Sequence, residues 1–178
     1  MTSLSKQIPG FSGEFYPYDD IIQRLPMQGS LLEVGSACGL SAVTFAEKFK
    51  ETGRDYTIHT VDLFRGVTIH DERYTGEQQK AYLNKIVDIW PNMRYTECNF
   101  FRREWDVPTV FFYDGDHSTT HTLKALRMMS DAEYIVVDDY TDMWPEVMEA
   151  VDQFRKETNR HMEVLKTDHY GVAIFERK

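Results

Sequence analysis

Leu31-Leu32-Glu33-Val34-Gly35-Ser36-Ala37-Cys38-Gly39-Leu40-Ser41 is the stretch on which the fold turns. Leu31–Val34 is a short apolar run, and it stops at a glycine. From Ser41 to Lys50 the apolar residues Val43, Phe45, Ala46 and Phe49 return at helical spacing. The unit therefore reads as strand, glycine turn, helix. Glycines let the chain reverse sharply and let a ligand come close to the backbone, and the helix start presents unpaired N–H groups. A dinucleotide site would read G-x-G-x-x-G, whereas Gly35–Gly39 reads G-x-A-x-G with Glu33 two residues ahead. Asp62 closes the next β-rich run, Tyr56–Val61, where an acidic side chain can accept hydrogen bonds from both hydroxyls of a ribose.

Outward from this unit, short apolar runs alternate with amphipathic ones. The predicted strands are Leu31–Val34, Tyr56–Val61, Met93–Cys98, Thr109–Tyr113, Tyr134–Val137, Met162–Lys166 and Val172–Glu176. The predicted helices are Ser41–Lys50, Gly76–Trp90 (stopped by Pro91), Thr119–Met129 and Trp144–Glu157. Alternation of strands with helices signals a parallel sheet covered on both faces. The last two strands are joined only through Asp168-His169-Tyr170-Gly171, too short for a crossover, so they form a hairpin. The expectation is an α/β, Rossmann-like sheet of seven strands, mostly parallel, with one antiparallel strand near the C-terminus.

With 178 residues, 42% of them hydrophobic and 13% aromatic, the chain suits one domain with one core. The expected division is an N-terminal lid or arm over 1–28, with the aromatic and acidic Phe11–Leu25 at its centre, and a core over 29–178. A net charge of −9, from 20 basic and 29 acidic residues, argues against nucleic acid as a partner, because that affinity rests on Lys and Arg. Cys38 and Cys98 make no disulfide framework. Met1–Gly10 is polar, and no apolar run approaches the ~20 residues a bilayer span needs. A cytoplasmic protein that binds no membrane is expected. Phe11–Leu25 could equally serve a contact between copies of the chain.

Two apolar strands end in carboxylates. Thr109–Tyr113 runs into Asp114-Gly115-Asp116-His117-Ser118, and Tyr134–Val137 runs into Asp138-Asp139-Tyr140. The C-terminal ends of parallel strands line the ligand crevice, so Asp114, Asp138 and Asp139 are expected to converge. Clustered carboxylates need a cation, and oxygen donors favour Mg²⁺, Mn²⁺ or Ca²⁺ over Zn²⁺. Other aspartates read as helix caps, Asp116 or Ser118 for Thr119–Met129 and Asp142 for the following helix.

Glu33-Val34-Gly35-Ser36-Ala37-Cys38-Gly39 resembles the E-x-G-x-x-x-G motif of class I S-adenosylmethionine-dependent methyltransferases, and Val61-Asp62-Leu63 resembles their ribose-binding strand end. Asp114-Gly115-Asp116-His117 with Asp138-Asp139 is similar to the metal-dependent O-methyltransferases, especially the branch acting on macrolide sugars. The resemblance covers roughly Leu31 to Lys178. Catechol-type relatives carry Lys where this chain has His117. A Gly-Gly turn usual in the family is replaced by Ser130-Asp131-Ala132-Glu133.

The resemblance implies S-adenosylmethionine as cofactor, held by Glu33, Gly35, Ser36, Ala37, Gly39, Asp62, Leu63, Asn99 and Asp114. It implies Mg²⁺ or a similar ion on Asp114, Asp138 and Asp139, His117 as general base, and a hydroxyl on a small molecule or sugar as acceptor. Phe100, Phe101 and Trp105 are weaker adenine candidates. A non-catalytic cofactor-binding module is an alternative. Another is a zinc hydrolase using His117, His121 and Cys98, whose histidines are four apart on a helix face.

Overall fold

The computed structural model describes residues 3–11, 16–167 and 170–177. Helix α1 (Tyr18–Arg24) leads into β1 (Gln28–Val34), α2 (Leu40–Glu51) and β2 (Asp55–Asp62). A small hairpin follows, β3 (Val67–Ile69) and β4 (Glu72–Tyr74), and then α3 (Gly76–Ile89) and β5 (Met93–Glu97). The chain continues through β6 (Val110–Tyr113), α4 (Thr119–Met128), β7 (Tyr134–Val137), α5 (Pro145–Thr158), β8 (His161–Lys166) and β9 (Gly171–Glu176). The main sheet has seven strands in the order β5-β2-β1-β6-β7-β9-β8, and β9 alone runs antiparallel to its neighbours. Fold class and strand count follow the sequence reading. Asp168 and His169, in the link between the last two strands, lie outside the described residues.

The strands β6 and β7 are covered on both faces. Val110–Tyr113 and Tyr134–Val137 are buried at every position, which is why they read as unbroken apolar runs. One apolar cluster packs α1, α2 and α3 on one face, with Ile21, Phe45, Phe49 and Leu83 at its heart. The other packs α4 and α5 on the opposite face, through Leu126, Val151, Phe154 and Phe175. Among the described residues, no helix is long and apolar enough to cross a membrane.

Three elements escaped the sequence reading. Tyr18–Arg24 is helical and folds its buried Tyr18 edge-on against Phe45 of α2. The β3–β4 hairpin is only three residues a side, too short to show alternation. Between β5 and β6, where a helix would complete the alternation, there is only the 3₁₀ turn Phe100–Arg102, capped by Asn99.

The register positions the site. Val34 of β1 pairs with Val61 of β2 and Tyr113 of β6, and Tyr113 pairs with Val137 of β7. The next row continues the ladder: Gly35 N–H donates to Val61 O at 3.0 Å, Asp114 N–H to Val34 O at 2.9 Å, and Asp138 N–H to Tyr113 O at 3.0 Å. Gly35, Asp62, Asp114 and Asp138 therefore stand along one edge of the sheet, where an open parallel sheet places its ligands.

Candidate active site

That edge is the floor of a cleft of about 820 Å³, a volume suited to a cofactor-sized molecule. Gly35, Ser36, Ala37, Asp62, Leu63 and Asn99 line it from one end. Asp114, His117, Asp138 and Asp139 line the other. The N-terminal segment contributes Phe11 and Tyr16, while Ser12–Phe15 lie outside the described residues. Tyr170 donates its hydroxyl to Phe11 O at 2.9 Å, so this segment is tied to the far edge of the sheet.

The glycine loop is bent through left-handed backbone at Gly35 (φ 91°), Ala37 (φ 46°) and Gly39 (φ 90°). Asp62 braces it: Oδ2 accepts Ala37 N–H at 3.0 Å and Oδ1 accepts Phe64 N–H at 2.8 Å. Each carboxylate oxygen keeps a second lone pair for a ligand hydroxyl. Among the described residues the buried Ser36 hydroxyl has no partner. Asn99 also lines the cleft, with its carboxamide oxygen taken by Phe101 N–H at 2.9 Å.

Two residues expected in the cofactor site are not among those lining the cleft. Glu33 is fully buried beneath the loop, accepting the Ser41 hydroxyl, and its other oxygen is unpartnered. Alternation along β1 puts its side chain on the sheet face covered by α2. Gly39 is buried at the start of α2, where a Cβ would meet Leu83 and Ile86 of α3 at 2.7 and 2.8 Å, so it serves helix packing.

Burial pushes the Glu33 carboxyl up to about 8, with the charges of Asp114 and Asp62 adding and the Ser41 bond opposing. The consequence is testable. An unfolded chain loses this proton near 4.5 and the folded one near 8. Between those values the folded state binds the extra proton, so stability falls as pH rises, by up to about 1.4 kcal/mol per pH unit. Glu33→Gln should flatten this dependence in urea unfolding curves taken from pH 5 to 9. It should leave the variant the more stable protein, by on the order of a few kcal/mol, at pH 8.5. Parallel curves would mean that Glu33 is ionised in the fold.

At the other end, Asp114, His117 and Asp139 each offer one ligand atom, all within 4.8 Å of one another. Asp114 ends β6, and His117 follows in the turn before Ser118, the residue that caps α4 by accepting His121 N–H. Asp139 is brought in by left-handed backbone (φ 59°), its N–H donated to Asp138 Oδ1 at 2.8 Å. Strain of this kind persists where the surroundings fix a side chain for use.

Asp138, expected with Asp114 and Asp139 as a metal ligand, is not one of the three residues that converge, whereas His117 is. Asp138 Oδ1 accepts Asp139 N–H at 2.8 Å, and its carboxyl also interacts with buried Tyr16 of the N-terminal segment. Asp142 does not cap α5, which starts on Trp144 and Pro145 without a side-chain cap. Nor is Asp116 the cap of α4, since it accepts Ser118 N–H at 2.9 Å and lies 3.2 Å from His121 Nδ1. His121 thus faces Asp116, and no group among the described residues joins His117, His121 and Cys98 as zinc would require.

His117 Nε2 lies 3.0 Å from Asp139 Oδ2 and 4.0 Å from Asp114 Oδ1. It is buried and aligned with no acceptor, so these contacts are charge pairing rather than hydrogen bonds. The Asp114 and Asp139 carboxylates push the imidazole up to about 10. Asp114 is itself raised, by its recessed position first and by the charge of Asp139. Sequence reasoning missed Trp144 as a site residue. Its ring lies 4.1 Å from that of His117, and it lines the cleft; its place at a helix start gave no signal.

Residues 104–177 match the macrocin O-methyltransferase (TylF) family. The O-methyltransferase NovP has a similar structure, at TM-score 0.62 and 21% identity, over 90% of this chain and 76% of that one. A putative caffeoyl-CoA O-methyltransferase from Staphylococcus aureus is similar at 0.64 and 14% identity, over 97% and 87%. Cofactor-bound Rv0187 from MTB is similar at 0.66 and 13%, over 97% and 85%. At these identities the likeness is one of fold. No curated protein matches the chain by sequence. Residues 32–140, more than half of the chain and spanning the glycine loop, Asp62, Asp114, His117 and Asp139, match the methyltransferase-domain family, and the chain belongs to it.

Proposed function

We propose that this chain methylates a hydroxyl oxygen of a small molecule or sugar, using S-adenosylmethionine and a divalent cation held by Asp114 and Asp139, with His117 as general base. The observation that carries the reading is the row of strand ends that puts the glycine loop and Asp62 at one end of a single cleft and the Asp114–His117–Asp139 group at the other. The residues of the cleft fit both groups. The partnerless Ser36 hydroxyl and the open lone pairs of Asp62 suit a polar cofactor. The unaligned His117 Nε2 between two carboxylates marks a charge arrangement that is incomplete alone.

When bound, S-adenosylmethionine supplies an electrophilic methyl on its sulfonium, and a hard cation supplies positive charge that offsets the carboxylates and acidifies a nearby hydroxyl. The remaining work belongs to the chain. Asp62 orients the ribose through both carboxylate oxygens while bracing the loop. Asp114 and Asp139 set the charge at the acceptor end, and His117, which these carboxylates alone would keep protonated, is freed to accept the acceptor's proton once a cation offsets their charge. The cleft walls hold donor and acceptor together, which removes much of the entropic cost of their encounter.

Calorimetry with S-adenosylhomocysteine, with and without Mg²⁺, tests this reading. Saturation at a hundred times Kd should stabilise the fold by about 2.7 kcal/mol. Mg²⁺ should add a further thermal shift that Asp139→Asn abolishes and Asp138→Asn keeps. Cofactor binding without any Mg²⁺ effect would favour the non-catalytic module. No binding at millimolar ligand would overturn the reading altogether.

A further inference from the structure

We propose that Trp144 forms the face on which the acceptor's ring stacks, and that the acceptor is a hydroxyl-bearing ring compound carrying no acidic group. This rests on the methyl-transfer reading above and adds to it the acceptor's shape and charge. Trp144 sits at the start of α5, on the segment that leaves β7 immediately after Asp138-Asp139. Its backbone is fixed there, donating to Thr141 O at 2.9 Å and accepting from Val147 N–H at 3.0 Å. The indole lies against the His117 imidazole at 4.1 Å, with the planes inclined by 49°. It nevertheless stays 38% exposed and lines the cleft. An acceptor held against the His117 imidazole therefore has its carbon skeleton beside the open part of the indole.

A large, rigid apolar side chain left open in a site otherwise built from carboxylates suits the flat face of a sugar or aromatic ring. The preceding residue, Met143, is likewise exposed, at 73%. The charge follows from what lines the same space. Asp114, Asp116, Asp138 and Asp139 all face the acceptor end. Among the described residues, Arg65 is the one Lys or Arg of the cleft, and it lies beyond Leu63 on the hairpin side. With a cation offsetting Asp114 and Asp139, a carboxylate or phosphate on the acceptor would still meet Asp116 and no guanidinium at that end to receive it, whereas a neutral or amine-bearing ring meets no such barrier.

The test uses the full chain with S-adenosylhomocysteine and Mg²⁺. It measures calorimetric affinity for three probes that share a vicinal diol on a ring: catechol, its aminoethyl derivative dopamine, and 3,4-dihydroxybenzoate. Catechol and dopamine should bind at least about tenfold more tightly than the benzoate. Trp144→Ala should weaken catechol about three- to tenfold, the range of an aromatic contact, while Trp144→Phe keeps most of the affinity. Neither variant should alter the Kd for S-adenosylhomocysteine, which also shows that both remain folded. Equal or tighter binding of the benzoate overturns the charge assignment, and catechol binding indifferent to Trp144→Ala overturns the stacking role. If S-adenosylhomocysteine binds but none of the rings does, the acceptor class is wrong while methyl transfer stands. If S-adenosylhomocysteine itself fails to bind, the methyl-transfer reading falls and takes this proposal with it.

Discussion

His117→Ala is expected to lower turnover by roughly 10²–10⁴-fold, the usual worth of a positioned general base, with the affinity for S-adenosylhomocysteine unchanged. The argument is geometric. His117 lies in the turn after β6, and its Nε2 stands within 4.0 Å of carboxylate oxygens from two different strand ends. Those strand ends belong to the row that also fixes the glycine loop, so the imidazole faces the same space as the cofactor end of the cleft. His121 cannot take over, because Ser118 and Asp116 hold its Nδ1 at 3.0 and 3.2 Å. His121→Ala should therefore leave turnover within about twofold, since the substitution touches no reacting group.

Two other outcomes are informative. A loss confined to the Mg²⁺-induced thermal shift, with turnover intact at saturating cation, would make His117 a cation ligand and leave the proton to a carboxylate. A parallel loss of S-adenosylhomocysteine affinity would mean that the ring chiefly holds the cleft wall through its contact with Trp144. Because measurable turnover needs an acceptor, the ring-bearing diols above are the first compounds to try.

How far the sequence revealed this site depends on which interactions define each part. The sheet was legible because its strands are stretches such as Val110-Phe111-Phe112-Tyr113 and Tyr134-Ile135-Val136-Val137, buried on both faces and therefore apolar throughout. The ligand edge was legible for the same reason, since a carboxylate directly after such a run has to emerge at the strand end. What a carboxylate does once there was not legible. Asp138 and Asp139 are adjacent, and only the left-handed backbone at Asp139 decides which one turns toward His117. Nothing in local composition encodes that choice. Glu33 shows the converse. Its motif position points to the cofactor, while its side chain lies buried beneath the loop and accepts the Ser41 hydroxyl. The N-terminal contribution was half legible. Its aromatic content pointed to a lid or an interface, and Phe11 and Tyr16 do line the cleft. The pairing of Tyr170 with Phe11 joins residues 159 positions apart and leaves no local trace.

Gly35→Ala is the substitution expected to cost the fold most. Gly35 has φ of 91°, a region an L-residue occupies only at a penalty of about 1–3 kcal/mol. A Cβ at this position would lie 1.8 Å from the backbone oxygen of Asp114 and 2.5 Å from its carbonyl carbon. Both are main-chain atoms, so no rotamer change relieves the clash, and β1 and β6 would have to part. Yet these strands are paired through Val34↔Tyr113, and Asp114 N–H donates to Val34 O at 2.9 Å beside the glycine. Separation would break that bond and move the strand ends that carry Asp114 and His117. Backbone strain and overpacking, each about 1–3 kcal/mol, act together, so a loss of more than about 3 kcal/mol is expected in urea unfolding. That is a large share of the 5–15 kcal/mol typical of a domain. Gly53→Ala is the control. Its φ is 68°, so the same kind of strain applies, but no atom lies within 4 Å of the added methyl, and the cost should stay near 1 kcal/mol. If the two variants prove equally stable, the close approach of β1 to Asp114 is not what the glycine serves. If Gly35→Ala alone unfolds early, the same contact that seats the loop also sets its distance from the acidic group.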